Sequence, residues 1–145
     1  MNLILRPITE DDAEILYQWH NDEGTRAYSF DSNQVDYSTH QSYISKMINS
    51  SDKNQFMFEI NGVKVATIKD KPYNNIKELS YTVSPDHRGK KISTLLMGVY
   101  LHGKSGEFLC KIHRENIPSI RMIERCGYTI DLIDINSICH YKIVL

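Results

Sequence analysis

Residues 83–93 read VSPDHRGKKIS, where an extended run ends and basic side chains lead into an apolar helical pattern. Pro85 closes the extended run, because it has no backbone N–H and disfavours helical geometry at Ser84. Gly89 allows backbone angles that a side chain obstructs. Beyond it, Ile92, Leu95, Leu96, Val99 and Tyr100 recur at helical spacing, which predicts a helix starting near Lys91 or Ile92 and ending near residue 103. Strand, turn, basic loop and helix N-terminus are an arrangement that binds phosphate, because free N–H groups and the positive end of the helix dipole converge there. A solvated basic turn before an ordinary amphipathic helix fits the same letters, and short glycine-containing motifs match by chance. The surrounding chain has to decide.

Upstream, KELSYTV (77–83) alternates: Leu79, Tyr81 and Val83 share one face, and Glu78, Ser80 and Thr82 the other. QFMFEI (55–60), the Asn61-Gly62 turn and VKVATIKD (63–70) read as a hairpin, with KPYNN (71–75) as a loop. LILRPI (3–8) reads as a first strand, followed by a helix that Thr9 caps and whose face is Ala13, Ile15, Leu16 and Trp19. Residues 20–34 are polar and read as irregular; a second helix is expected over 36–49, with Tyr43, Ile44, Met47 and Ile48 inward. Downstream, EFLCKIH (107–113) reads as a strand, 117–125 as a short helix, and YTIDLID with ICHYKIVL as a terminal strand pair. The pattern predicts a mixed α/β sheet in a single domain over 1–145, with one strand-helix-strand crossover.

The 145-residue chain is 41% hydrophobic and 24% charged, ordinary for a globular domain. A net charge of -1 gives no general attraction to nucleic acid or an anionic membrane, so any anion site must be local. The start, MNLILRPITEDD, lacks the features of a secretory signal, and no apolar run is long enough to span a bilayer; the chain reads as cytoplasmic. Cys110, Cys126 and Cys139 suit reduced thiols better than a disulfide framework. Cys110 and His113 stand three apart with no second pair, and the histidines make no HExxH pattern, so no metal is expected.

Two segments carry a family resemblance. ELSYTVSPDHRGKKISTLLMGVY resembles the acyl-CoA motif of the GCN5-related N-acetyltransferases, and HRENIPSIRMIERCGY resembles that family's later asparagine-containing motif. The resemblance covers nearly the whole chain. It implies a mixed, mostly antiparallel sheet of about six to seven strands flanked by helices, with a splayed central strand pair. It implies acetyl-CoA as co-substrate, with backbone near Thr82 and Val83 pairing with pantetheine. The N–H groups from Arg88 through Gly89, Lys90, Lys91, Ile92 and Ser93 would surround the pyrophosphate, and Asn116 and Ser119 fall at usual family positions, as do Glu124, Gly127 and Tyr128. The sequence departs from the pattern twice. Lys91 stands where the motif has glycine, and Ile123 stands where many members have the tyrosine that protonates the departing thiolate. Water, Tyr141 and Cys126 are its open replacements.

Transfer from a thioester needs a neutral amine, a stabilised oxyanion and a base. Glu78, which alternation sets opposite the Leu79 face, and His113, which follows the neighbouring strand, are the candidate bases; a solvated carboxylate and a structural histidine are the plainer readings. LYQWHNDEGTRAYSF followed by STHQSYISKM resembles the branch that acetylates nucleotide-linked amino sugars, as in pseudaminic-acid synthesis, or ribosomal-protein N-termini, through Trp19, Asn21, Arg26 and His40. Trp19 reads as core and Asn21 as a turn residue. Arg26, Tyr28 and His40 are the candidates for an acceptor pocket. The expected acceptor is a small polar amine, most simply a nucleotide-linked amino sugar. A protein N-terminus, a non-catalytic acyl-CoA module and an interaction domain without cofactor are the rivals. The terminal strands either pair with a second subunit, giving a homodimer, or close their own sheet.

Overall fold

The computed structural model describes residues 1–28, 33–126, 129–135 and 138–145, with only the backbone of 129–135. The strands are β1 (Leu3–Pro7), β2 (Asn54–Ile60), β3 (Val63–Tyr73), β4 (Ile76–Val83), β5 (Glu107–His113), β6 (Thr129–Ile135) and β7 (Ile138–Val144). The helices are α1 (Ala13–Asn21), α2 (Glu23–Ala27), α3 (Tyr37–Ile48), α4 (Ile92–Leu101) and α5 (Ile117–Arg125). One seven-stranded sheet has the order β1-β2-β3-β4-β5-β7-β6. Its one parallel pair, β4 with β5, flanks the α4 crossover, and every other pair is antiparallel. The C-terminal β7 therefore lies inside its own sheet, between β5 and β6.

Two cores cover the two faces. Phe58, Ala66, Ile68 and Leu79 pack with Leu96, Met97 and Tyr100 of α4 and with Met122 and Ile123 of α5. On the other face Met57 packs with Leu16 and Trp19 of α1 and with Ile44 and Met47 of α3. Alternation along β2 explains the split, since Phe56 and Phe58 face one side and Met57 the other.

Asp36 caps α3 by accepting from Thr39 N at 2.8 Å. The buried stripe of α3 is His40, Ile44 and Met47, while Tyr43 and Ile48 are exposed. The inward set is thus rotated from the expected one, because a histidine rather than a tyrosine occupies the central stripe. Residues 20–34 are not irregular throughout: Asp22 caps the short α2 by accepting from Thr25 N at 3.0 Å. The expected loop 71–75 is mostly strand, with Pro72 opposite Lys77. Because β2 ends opposite Asp70, β3 has an open edge beyond it, where a residue without an N–H is tolerated.

Asp12 pins the start of α1. Its buried carboxylate accepts from Arg6 at 2.8 and 3.0 Å and from Thr9 N at 2.9 Å, and it pairs with Lys64 at 2.7 Å. Burial pushes this carboxyl's pKa up, but those partners outweigh it and hold the group below the ordinary aspartate range.

Candidate active site

The β4–β5 ladder contains only Lys77–Phe108, Glu78–Leu109 and Leu79–Cys110, and beyond Leu79 the strands part. A cavity of about 460 Å³ opens in the gap. Tyr81, Thr82 and Val83 of β4, Gly89, Lys91, Ile92 and Ser93 of the loop into α4, and Asn116, Pro118 and Ser119 of the α5 start all line it, with Gly24 and Thr25 of α2.

The loop into α4 is shaped by two left-handed residues, Gly89 at φ +75° and Lys91 at φ +59°. No atom crowds the place where a Cβ on Gly89 would sit, so the backbone angle is what requires glycine there. Neither α4 nor α5 has a side-chain cap or an acidic residue in its first turn. The helices of the other face begin differently: α1 follows the acidic run Glu10–Asp12, and α2 and α3 are capped by aspartates. Uncapped first-turn N–H groups facing a cavity suit an anion, so the residues present fit a pyrophosphate.

Arg88 is engaged elsewhere. Its Nη2 donates to Asp22 Oδ2 at 2.7 Å and to Thr25 Oγ1 at 2.9 Å, tying the loop to α2. This pairing lowers the Asp22 pKa. A Cβ on Gly24 would stand 2.7 Å from Arg88 Nη1, so the close approach depends on glycine. Lys90 is exposed and lies outside the cavity lining, whereas Lys91 is part of it.

A second cavity of about 240 Å³ lies on the α1–α3 face, and Thr82 lines both. Its walls include Trp19 and His20 of α1, His40 and Tyr43 of α3, and Gln55, Thr67 and Lys69 of the sheet. Thr67 donates to the Phe56 carbonyl at 2.8 Å, so its oxygen accepts from Gln55 Nε2 at 3.0 Å, which fixes the orientation of that amide. Among the described residues, Gln55 Oε1 and His40 Nε2 are then buried without hydrogen-bond partners. Burial, and secondarily His20 and Lys69, lower the His40 pKa, so the ring is neutral at pH 7. Lys69 Nζ stands 4.8 Å from the centre of the Tyr43 ring. No aspartate or glutamate lines this cavity among the described residues.

The candidates from sequence therefore separate. Thr82, Val83, Arg88, Gly89, Lys91, Ile92, Ser93, Asn116 and Ser119 are brought together around the first cavity. The three acceptor candidates do not meet. Tyr28 lines the first cavity, His40 the second, and Arg26 neither, its Nε donating to the Asn21 carbonyl at 3.1 Å. Asn21 holds Val35 through bonds of 2.8 and 2.9 Å, which sets a wall of the second cavity. Glu78 lies outside both linings, paired with Lys111 at 2.8 Å and Lys71 at 3.2 Å. Burial raises its pKa, but the two lysines outweigh that and keep it below the ordinary value. His113 also lies outside them, its Nδ1 accepting from Glu115 N at 3.2 Å. Tyr141 is buried in the core, and burial raises the Cys126 pKa. Gly127 and Tyr128 lie outside the described residues.

Sequence reasoning missed Gln55, Thr67 and Lys69. Their strands were legible, and alternation sets Thr67 and Lys69 apart from Ala66 and Ile68. Which face receives α1 and α3 is a tertiary fact that alternation does not carry.

A parted parallel strand pair, a cavity lined by uncapped helix starts and a second cavity that shares Thr82 in its lining suit group transfer from a phosphate-bearing donor. The chain resembles several solved structures of that class. The spermidine N-acetyltransferase from Vibrio cholerae, in complex with CoA and spermine, aligns with a TM-score of 0.85 at 18% identity, over 98% of this chain and 95% of that one. An aminoglycoside acetyltransferase in complex with coenzyme A aligns at 0.82 and 13%, over 99% and 95%. A ribosomal alpha-N-protein acetyltransferase in complex with coenzyme A aligns at 0.79 and 13%, over 100% and 95%. At these identities the likeness is one of fold. No curated protein sequence matches this chain. The model of the acetyltransferase (GNAT) domain matches residues 2–129, and the chain belongs to that family. It is an acetyl-CoA-dependent N-acyltransferase. No helix among the described residues is long and apolar enough to cross a membrane.

Proposed function

We propose that the protein transfers acetyl from acetyl-CoA to the primary amine of a small polar acceptor held in the second cavity, and that this acceptor is a nucleotide-linked amino sugar. The observation that carries the reading is the pair of buried groups Gln55 Oε1 and His40 Nε2, unpartnered among the described residues, beside the cavity that shares Thr82 with the first. Both atoms are acceptors when the histidine is neutral and protonated on Nδ1, and an amine supplies the donors they lack.

The first cavity takes the donor. Backbone N–H groups at the start of α4 and Lys91 receive the pyrophosphate, and the β4 edge beyond Leu79, which has no ladder to β5, receives the pantetheine amides. A β4 N–H near Val83 stabilises the oxyanion, a contribution of roughly 3–4 kcal/mol in comparable sites. His40 takes the proton that the amine gives up. Its lowered pKa keeps it neutral and able to do so at pH 7.

The charge of the second cavity supports the acceptor class. It offers Lys69 and two imidazoles and, among its described residues, no carboxylate, which suits an amine whose remainder is neutral or anionic. A polycation such as spermine finds no counter-charge there. An amine on a sugar ring also has a lowered pKa from nearby oxygens, so a larger fraction is neutral at pH 7. Purified protein, acetyl-CoA and a panel of nucleotide-linked amino sugars, spermidine, an aminoglycoside and N-terminal peptides test the reading. Acetyl-CoA-dependent turnover greatest on the amino sugars supports it. Turnover confined to the peptides or polycations overturns it.

A further inference from the structure

Thioester cleavage puts negative charge on sulfur, and Ile123, wholly buried in the core, offers no polar side-chain atom to receive it. Tyr81 does. It is the second residue beyond Leu79, the last β4 residue paired with β5, so it stands where the strands part. It lines the first cavity together with Gly89, Lys91 and Ser93. Its hydroxyl is buried beside the Ser119 side chain, yet forms no well-aligned hydrogen bond with it or any other group among the described residues. Buried hydroxyls in folded proteins are almost always partnered, so one left open beside a ligand cavity points to a ligand.

We propose that the Tyr81 hydroxyl donates a hydrogen bond to the coenzyme A sulfur and stabilises the thiolate as it leaves. This rests on the cofactor site described above and is independent of the acceptor. With phosphate at the α4 start and the pantetheine along β4 beyond Leu79, the thiol meets the parted stretch of β4 to which Tyr81 belongs. The amine nitrogen bonds to the carbonyl carbon, the C–S bond breaks and its electron pair goes to sulfur. The amine proton goes to His40, Tyr81 keeps its own proton, and solvent later protonates the thiolate. Burial raises the Tyr81 pKa, which holds the phenol in its donor form. The titratable groups beside it are Cys110 on β5 and Cys126 after α5. Burial pushes the Cys110 thiol up to about 12 and raises Cys126 as well, so neither supplies a competing charge near neutral pH.

The test reads the thiol of bound coenzyme A directly. Thiolate absorbance is followed against pH as the difference between protein with and without coenzyme A, for wild type and Tyr81→Phe. A hydrogen bond to a charged sulfur implies that the bound thiol in Tyr81→Phe titrates about one pKa unit higher than in wild type, a tenfold change. The substitution removes an unpartnered hydroxyl and keeps the ring, so thermal stability should hold or rise, and calorimetric affinity for coenzyme A at acid pH should be unchanged. Identical thiol titrations in the two proteins would overturn the proposal. A fall in stability would also overturn it, by showing that the hydroxyl serves the fold. Failure of wild type to bind coenzyme A at all would remove the cofactor site itself, whereas binding with no effect of Tyr81→Phe removes only this proposal.

Discussion

The Arg88 guanidinium, on the wall of the first cavity with Gly24 and Thr25, donates to Asp22 Oδ2 at 2.7 Å, joining the loop before α4 to the start of α2. The pair is partly exposed, so its coupling is small, about 0.2–1 kcal/mol. Arg88→Ala and Asp22→Ala should each weaken acetyl-CoA binding by about two- to fivefold, and the double variant should be no weaker than the worse single one. Calorimetric titration of the three proteins checks this. A loss in Arg88→Ala that is unaffected by Asp22→Ala would mean that the guanidinium serves the donor directly. The Asp22 pKa is lowered in the fold, so this coupling is present above the ordinary aspartate pKa of about 3.9 and is lost as pH falls through the folded value.

Lys91 holds φ +59° and ψ 27° at the N-cap of α4, a conformation that costs a side-chain-bearing residue about 1 kcal/mol relative to glycine. Lys91→Gly should therefore raise the melting temperature by about 3 °C. Lys91→Ala keeps the strain and removes the charge. If the ammonium serves the pyrophosphate, both variants lose acetyl-CoA affinity equally while only the glycine variant gains stability. Equal stability in the two would remove the backbone explanation.

The same residue shows what the sequence made legible. Apart from α2, the order of strands and helices and the loop before α4 were readable, because Pro85, Gly89 and the Ile92–Tyr100 spacing are local signals, whereas the parted β4–β5 pair was implied only by the family resemblance. The left-handed turn was not marked by any letter, since a lysine there hides what a glycine announces. The second cavity was less legible still. His40 was visible as a polar residue on α3, but its burial depends on Trp19 and His20 from α1 and on Gln55 and Lys69 from the sheet, separated widely along the chain. Glu78 and His113, the bases expected from the sequence, lie outside both cavity linings. Alternation assigned Glu78 a face but could not reveal the two lysines that neutralise it.

Asp12 should be the most stability-sensitive charged residue on the α1 side. Its carboxylate is wholly buried, while Arg6 and Lys64 keep about a third of their surface, so Asp12→Asn leaves Lys64 without this counter-charge and Arg6 with Glu59 alone. The expected cost is about 3 kcal/mol, at the lower end for breaking a buried pair, and denaturant unfolding measures it. Its folded pKa lies below its unfolded one. The contribution is therefore fully present above about pH 4 and is lost as pH falls through the folded value, and the acid-unfolding midpoint should move up in Asp12→Asn.

His40 and Glu78 give opposite expectations for the base. His40 has its pKa lowered by burial and by its cationic neighbours, so the acid limb of kcat/KM for the amine should lie below the ordinary histidine value of about 6.5. His40→Gln should abolish that limb and reduce kcat by about 100-fold, with the acetyl-CoA affinity retained because His40 lies outside the donor cavity. Glu78→Gln leaves Lys71 and Lys111 without their carboxylate and should reduce stability while changing kcat by less than about twofold, the size expected of a charge outside the site. Steady-state kinetics across pH separate the two. A His40→Gln enzyme with an intact acid limb, or a Glu78→Gln enzyme without one, would return the base to β4 and require the lysine pairs to open during turnover.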